Sequence, residues 1–156
     1  MATPTIKAAD EGERRWFYGG GTHIWKVTEA ESDGSISCLE DELTEGKMTP
    51  WHCHPHSEEL TYLLEGECLV NIDGEERRVG AGATWFVPRG VSHAFTVLSP
   101  TARVFAIQTP GTAGRFYMEA SEPAGEGDGP VDFDRIREVA MATGITDVQG
   151  PPPFAR

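Results

Sequence analysis

The sequence predicts an all-β sandwich or barrel that is followed by one C-terminal helix. Short segments rich in β-branched and aromatic residues alternate with Gly and Asp clusters over most of the chain. No helical periodicity is present before residue 130. The length of 156 residues suits a single domain with one core.

The strands are predicted in order along the chain. "RRWFYG", "HIWKVTEA" and "SISCLEDEL" are the first three, and "TWFVP", "HAFTVLS" and "ARVFAIQTP" are the last. Between them, "LTYLLEGECLVNIDGEERRV" predicts two tight turns. We expect Gly66 to turn one hairpin, and Asp73 with Gly74 to form the type I′ turn of the next.

The segment "DFDRIREVAMATG" predicts the helix. Asp132 is a suitable N-cap, and Gly144 is a suitable C-terminal stop. Ile136, Val139 and Ala140 fall on one face at helical spacing. We therefore expect this face to pack against the rest of the domain.

One domain is expected over residues 1–156, with a core barrel at about 15–118, a linker at 119–131 and the helix and tail at 132–156. The Gly-, Glu- and Pro-rich connection around "RFYMEA" is expected to lie on the surface. The tail "GPPPF" cannot form a helix or a central strand, so Phe154 is expected to anchor it on the barrel.

Charge excludes several classes of partner. The chain has 13 Lys and Arg against 25 Asp and Glu, a formal charge of -12. Such a charge repels nucleic acids and anionic lipids. No apolar run approaches the ~20 residues of a membrane span, and the N-terminus lacks the apolar centre of a signal peptide. We expect a cytoplasmic protein with reduced cysteines, which number three and form no CxxC pair.

The stretch "WHCHPHSEEL" holds three of the five histidines. In a strand, His52 and His54 project from the same face. An HxH pair alone is short and common, and by itself it fits a polar loop better than a metal site. A carboxylate from Glu58 or Glu59 and a further imidazole from His93 would complete an N/O ligand set for Fe(II), Mn, Ni, Co or Zn.

Two segments resemble the two motifs of the cupin family. "GKMTPWHCHPHSEELTYLLEG" resembles the first motif, and "GATWFVPRGVSHAFTV" resembles the second. Val97 stands where the second motif has Asn, a position away from the metal ligands. The double match at these spacings is a strong signal. The matching residues are Gly46, His52, His54, Glu59 and Gly66 in the first motif, and Gly82, Pro88, Gly90 and His93 in the second.

This resemblance implies a cupin double-stranded β-helix, or jelly-roll barrel, with one divalent metal ion inside one mouth. The implied ligands are His52, His54, Glu59 and His93. The spacing to the motif glycine selects Glu59, so Glu58 is expected to be a solvated or interface carboxylate. His56, which follows a proline, is expected at the rim.

Strand alternation predicts a mostly apolar substrate pocket, although the same residues also fit an ordinary barrel core. No Lys or Arg falls clearly on the inward register, and Arg103 is the one candidate counter-charge. His23, in a Gly-rich hairpin, is expected at the surface. The predicted pocket residues are Met48, Thr61, Leu63, Phe86 and Phe95.

"HPHSEE" and the helix followed by "GPPPF" resemble the quercetin dioxygenase-like cupins. That resemblance implies an O2-dependent dioxygenase, with Fe(II) favoured, acting on a phenolic, enolic or polyketide-like small molecule. Glu59 would serve as metal ligand and general base. Two alternatives stay open: a non-redox isomerase, cyclase or lyase on the same site, and a non-catalytic small-molecule-binding protein. The family likeness also implies a homodimer through outward residues such as Tyr62 and Leu64.

Overall fold

The computed structural model describes residues 1–18, 20–125 and 130–154. Two antiparallel sheets of seven and five strands face each other and enclose the core. Part of the predicted linker, residues 126–129, lies outside the described residues. The strands are β1 (Arg14–Trp16), β2 (Thr22–Val27), β3 (Ser37–Thr44), β4 (Trp51–Cys53), β5 (Glu58–Glu65), β6 (Glu67–Ile72), β7 (Glu75–Gly80), β8 (Thr84–Val87), β9 (His93–Val97), β10 (Thr101–Thr109), β11 (Glu122–Pro123) and β12 (Asp147–Gly150).

The seven-stranded sheet has the order β11-β1-β2-β3-β10-β5-β8, and the five-stranded sheet has the order β12-β4-β9-β6-β7. The predicted all-β fold is confirmed. Inward side chains of both sheets form the main core, because alternate residues of each strand face the opposite sheet. This core comprises Leu43, Leu63, Cys68, Val70, Trp85, Val87, Val97, Ala102 and Val104.

The two predicted tight turns have different outcomes. Asp73 and Gly74 both have positive φ, 53° and 87°, and they join the paired strands β6 and β7 as a two-residue turn. The hairpin predicted at Gly66 is wrong. This glycine joins β5 to β6, but those strands belong to different sheets. The chain crosses between the sheets there, which the local sequence does not distinguish from a hairpin turn.

The C-terminal helix is confirmed as α2 (Phe133–Thr143). The Asp132 side chain accepts a hydrogen bond from the backbone N–H of Arg135, and Gly144 ends the helix with a φ of 66°. The predicted apolar face of α2 is buried in a second core cluster. That cluster also holds Phe17, from the segment that follows β1.

A helix was missed in the segment predicted to be a surface connection. A 3-10 turn (Gly111–Ala113) leads into α1 (Gly114–Glu119). This helix has six residues and no capping side chain, so the sequence gives it no start signal. Tertiary packing stabilises it instead, because Phe116 is buried against α2 in the second core cluster.

The tail contains a strand that the sequence did not indicate. β12 pairs with β4, so Val148 lies opposite His52. Beyond it, Phe154 is buried, as predicted for the anchor of the tail. The tail therefore covers the edge of the five-stranded sheet beside the histidine stretch.

The outer face of β5 and β8 is partly apolar. Leu60, Tyr62 and Phe86 are 39%, 41% and 54% exposed. Such a surface is compatible with the predicted homodimer, which stays a prediction. Among the described residues, none of the helices has the length and apolarity to cross a bilayer.

Replacement of Gly66 tests its role at the crossing between the sheets. Its φ is 91°, and an added Cβ would lie 2.5 Å from the carbonyl oxygen of Thr101. We expect Gly66→Ala to lower the free energy of unfolding by about 2–4 kcal/mol, the sum of backbone strain and overpacking. Urea unfolding measures it.

Gly74→Ala is the matched control, since Gly74 has a similar φ of 87° but nothing within 4 Å of the added Cβ. Its expected cost is about 1 kcal/mol, from strain alone. Equal losses for the two variants would contradict the steric argument.

Candidate metal centre

The register of the five-stranded sheet brings the predicted imidazoles together. His52 on β4 lies directly opposite His93 on β9, and their ring centroids are 4.2 Å apart. His54 follows one residue after the end of β4, with its ring 5.1 Å from that of His52 and 5.3 Å from that of His93. All three side chains are buried.

Hydrogen bonds on the outer ring nitrogens orient the three imidazoles. Nδ1 of His52 lies 2.8 Å from the carbonyl of Pro50, and Nδ1 of His93 lies 3.1 Å from that of Val91. A carbonyl only accepts, so both Nδ1 atoms are donors and both Nε2 atoms carry the free lone pair. Nδ1 of His54 pairs with the hydroxyl of Thr146 at 3.2 Å.

The carboxylate of Glu59 reaches the same point from the opposite sheet. Its Oε2 lies 3.2 Å from Nε2 of His54, and its Oε1 lies 3.8 Å from Nε2 of His93. The nitrogen donors of the three histidines lie within 4.8 Å of one another. All four predicted ligands therefore converge in the fold. Glu59 comes from β5, and the three histidines come from the side of the five-stranded sheet.

Burial and mutual charge keep these groups in the form that a metal requires. Burial, and then the neighbouring imidazoles, lower the pKa of His52 well below its ordinary value. Burial likewise lowers the pKa of His93. For Glu59, burial would raise the pKa, but His54, His93 and His52 outweigh it and hold the pKa far below its ordinary value. The site thus presents neutral imidazoles at His52 and His93 and an ionised carboxylate at Glu59.

Gln108 and Tyr117 hold the carboxylate, and the sequence did not indicate either. Gln108 lies opposite Glu59 in the β5–β10 register and donates from Nε2 to Oε2 at 3.0 Å. The Tyr117 hydroxyl, on α1, donates to the same oxygen at 3.2 Å and accepts from Gln108 at 2.7 Å. Burial, and then the charge of Glu59, raise the pKa of Tyr117 well above its ordinary value, so it stays a donor.

His52, His93 and the carboxylate of Glu59 line a small cavity of about 60 Å³. Two predicted pocket residues, Thr61 and Phe95, line it as well. The others that line it were not predicted for the pocket, and several are polar: Phe17, His23, Ser37, Leu39, Asp41, Lys47, Thr49, Val104, Ala106, Gln108 and Tyr117.

Three predicted pocket residues lie elsewhere, and those predictions are wrong. Phe86 is 54% exposed, because β8 pairs with β5 so that Phe86 shares the outer face with Leu60. Leu63 faces inward but is packed into the core between the sheets. Met48 lines a separate surface concavity with Phe154. The predicted inward and outward positions around Met48 are shifted by one residue from those in the structure. Its neighbours Lys47 and Thr49 line the cavity instead.

Two predictions about charged groups are also wrong. His23, expected at the surface, is 2% exposed, and it lines the cavity. Lys47 is a cation on the inward register, where none was expected. Arg103, the expected candidate, is 40% exposed and pairs with Glu65 on the outer side of the sheet.

The remaining acidic and imidazole groups of the histidine stretch lie at its rim. Glu58 pairs with Arg89 at 3.4 Å, and His56 is exposed. Neither side chain lines the cavity. The structure thus separates them from the four groups that converge, as predicted.

The donor set fits a divalent metal ion. Nε2 of His93 is buried and has no hydrogen-bond partner in the described part of the chain, and the buried Nε2 of His54 has only its 3.2 Å approach to Oε2 of Glu59 among the described residues. Unpaired polar atoms in an apolar interior are costly unless a ligand satisfies them. Three imidazoles and one carboxylate suit several first-row divalent ions, so the donor set selects no single metal.

Comparison with known proteins relates the histidine-bearing part of the chain to a known domain. A family model described as a cupin domain matches residues 40–107, which include all four converging groups. This segment of the chain is therefore similar to a cupin domain.

Two curated relatives are similar to this chain over part of their length. Quercetin 2,3-dioxygenase of Bacillus subtilis is 25% identical over 122 residues, which are 78% of this chain and 36% of the relative. The tetracenomycin polyketide synthase protein TcmJ of Streptomyces glaucescens is 40% identical over 52 residues, 33% of this chain and 35% of the relative. This chain thus spans about a third of the length of each.

Solved structures share the fold. KdgF from a Halomonas species matches with a TM-score of 0.63 at 18% identity, over 69% of this chain and 94% of that one. An RmlC-like cupin from Shewanella frigidimarina matches with a TM-score of 0.60 at 22% identity, over 70% and 95%. The jelly-roll barrel implied by the two motifs is therefore confirmed.

Metal content tests the assignment of the histidines. We expect His52→Ala, His54→Ala and His93→Ala each to weaken binding of a divalent metal by more than about a hundredfold, since loss of groups that merely orient ligands costs 10- to 100-fold. Elemental analysis of the purified variants measures it. His56→Ala is the control and should retain the metal content of the unmodified protein.

Tyr117→Phe tests the support of the carboxylate. Loss of the hydroxyl removes one of the two donors to Oε2 of Glu59 without changing the shape of the ring. We expect metal affinity to fall about tenfold, as is typical for groups that orient a ligand. Competition with a chelating dye measures it. An unchanged affinity would show that the Tyr117 hydroxyl is not needed to hold the carboxylate.

Proposed function

We propose that this protein is a metal-dependent dioxygenase that acts with O2 on a small phenolic or enolic molecule. One observation carries the proposal: three imidazole nitrogens and one ionised carboxylate converge at a small cavity, which His52, His93 and Glu59 line. A site with four protein ligands leaves positions for exogenous ligands on a metal that accepts six.

Two curated relatives support the proposal of a dioxygenase. The B. subtilis relative is a quercetin 2,3-dioxygenase, an enzyme of the class that we propose. The S. glaucescens relative is a protein of a polyketide synthase, which agrees with a polyketide-like substrate. Both likenesses are partial, so the substrate is argued from the cavity itself.

The size of the cavity favours a small substrate. A volume of about 60 Å³ has room for roughly four to six water molecules. It is smaller than the roughly 150 Å³ of a protein cavity that holds benzene. A short enol therefore fits most easily, a single ring requires lining side chains to move, and a three-ring flavonol requires a larger movement. Thr61, Phe95 and the aliphatic residues of β10 give much of its wall an apolar character that suits a planar ring.

Glu59 is placed to accept the proton of the substrate hydroxyl. Its carboxylate is ionised and is held by Gln108 and Tyr117, so its position is fixed before substrate binds. With so low a pKa it is a weak base. When bound, the metal ion acidifies a coordinated hydroxyl and, where it is redox-active, exchanges electrons with O2. The Tyr117 hydroxyl donates a hydrogen bond to Glu59. It therefore stabilises the negative charge of that carboxylate whenever the carboxylate is ionised.

Oxygen consumption tests the proposal. We expect the Fe(II)-, Mn-, Ni- or Co-loaded protein to consume O2 with single-ring catechols, hydroxypyranones or short 1,3-diketones, measured with an O2 electrode. Glu59→Gln should lower kcat at least about 100-fold, the lower end of the usual contribution of a general base. His56→Ala should leave the rate unchanged, because His56 is exposed at the rim.

Anaerobic assays separate this function from the alternatives. Turnover that persists without O2 would replace the dioxygenase with a non-redox isomerase, cyclase or lyase on the same ligands. Tight binding of these molecules with no turnover under either condition would replace it with a small-molecule-binding protein.

A further inference from the structure

The cavity contains a second polar cluster, formed by His23, Asp41 and Lys47. These side chains are 2%, 8% and 7% exposed, and all three line the cavity that His52, Glu59 and His93 also line. The ring of Tyr117 lies between the two groups, 5.6 Å from the ring of His23 and 6.4 Å from that of His54. The cluster is therefore a separate part of the same cavity.

His23 and Asp41 lie directly opposite each other on β2 and β3. Their Nε2 and Oδ2 atoms are 3.5 Å apart. The other two polar atoms, Nδ1 of His23 and Oδ1 of Asp41, are buried and have no hydrogen-bond partner among the described residues. Such atoms cost free energy unless a ligand or water satisfies them, so the pair offers unused hydrogen-bonding capacity.

Lys47 brings a donor to the same place. Its backbone is fixed by hydrogen bonds to Thr44 and Val97, so its side chain is directed inward. The ammonium group lies 5.3 Å from the centroid of the Phe17 ring. None of the ion pairs among the described residues includes it, although Asp41 is close enough to act on its charge.

A pair of glycines locates the donor and the acceptor side by side. A Cβ at Gly20 would collide with the ammonium of Lys47, and a Cβ at Gly21 would lie 2.7 Å from Oδ1 of Asp41. Because these glycines are consecutive, the two polar tips lie against neighbouring residues of one loop. Side chains at either glycine would displace them.

The protonation state of Lys47 is consistent with a side chain that binds a hydrogen-bond acceptor of a ligand. Burial lowers its pKa to about 8, and Asp41 opposes that change. The ammonium is therefore mostly protonated at pH 7 and still requires hydrogen-bond acceptors in a largely apolar cavity. The aromatic contact with Phe17 offsets part of the cost of burial.

We propose that Lys47 and Asp41 bind a second hydroxyl group of the substrate, with His23 paired to Asp41. This second hydroxyl is remote from the hydroxyl at the metal site. The Lys47 ammonium donates a hydrogen bond to the hydroxyl oxygen, and Oδ1 of Asp41 accepts a hydrogen bond from the hydroxyl group. This proposal rests on the proposed function for the other end of the substrate. It makes Lys47 and Asp41 specificity-determining residues.

A hydroxyl fits the cluster better than a carboxylate does. A hydroxyl both accepts and donates, so it satisfies Lys47 and Asp41 together. A carboxylate only accepts, and it would be repelled by the charge of Asp41 in a low-dielectric interior. The substrate class is thus a single-ring enol or phenol that carries a further hydroxyl.

Two hydroxypyranones that differ by one hydroxyl group test the proposal. Kojic acid and allomaltol have the same metal-binding enolone, but only kojic acid carries a hydroxyl on its methyl substituent. Hydroxytyrosol and 4-ethylcatechol repeat the comparison with a longer arm. Binding is measured anaerobically by calorimetry, on the protein as purified and with its metal content determined, so that turnover does not contribute.

We expect the unmodified protein to bind the hydroxylated member of at least one pair about tenfold or more tightly, the usual gain from a hydrogen bond to a charged group. Lys47→Met and Asp41→Asn should each reduce that preference to within about twofold. Lys26→Met is the matched control, since Lys26 bonds only to backbone carbonyls near the N-terminus, and it should keep the full preference.

Three results would overturn the proposal. The first is the absence of any preference in the unmodified protein for both pairs. The second is a preference that survives in both variants. The third is an equal loss of affinity for both members of a pair in folded variants, as judged by thermal unfolding, because a purely structural role predicts it.

The experiments distinguish failure of the dioxygenase proposal from failure of the hydroxyl-binding proposal. If O2 uptake is absent but the hydroxyl preference depends on Lys47, the dioxygenase is lost and the binding site stands. If O2 is consumed but no hydroxyl preference exists, the dioxygenase stands and this inference is overturned.

Discussion

His52 and His93 lie directly opposite each other on neighbouring strands, and two further cross-strand pairs line the same cavity. Glu59 faces Gln108 across β5 and β10, and His23 faces Asp41 across β2 and β3. Opposite residues of an antiparallel pair project from the same face of the sheet. A shift of one residue in any of these registers would turn its polar pair away from the cavity. The strand registers therefore determine the site.

Burial gives these pairs their chemical properties. In water, three imidazoles and a carboxylate would interact weakly, whereas in a low-dielectric interior they strongly change each other's protonation. The pKa of His52 falls because of burial and its imidazole neighbours, and the pKa of Glu59 falls because those neighbours outweigh burial. The fold thus prepares neutral nitrogen donors and an anionic oxygen before any metal binds.

The two sheets have different roles around the cavity. The three histidines of the metal centre come from the five-stranded side. Glu59, its supporting residue Gln108 and the pair of His23 with Asp41 come from the seven-stranded sheet. Helix α1 adds Tyr117 between the two clusters. The cavity therefore combines an apolar wall with two separate polar ends, which is a basis for recognising a molecule with two polar groups.

The sequence by itself determined most strands of the barrel, the C-terminal helix and the four converging groups, because strand alternation and motif spacing are local properties. It could not place Phe86 or Lys47, since the facing of a side chain near a strand end depends on the pairing with a distant strand. It also missed Tyr117, because α1 has no capping signal and forms only against α2. Tertiary structure alone decided which further polar groups share the cavity with them, since contacts between residues far apart in sequence follow from register and packing.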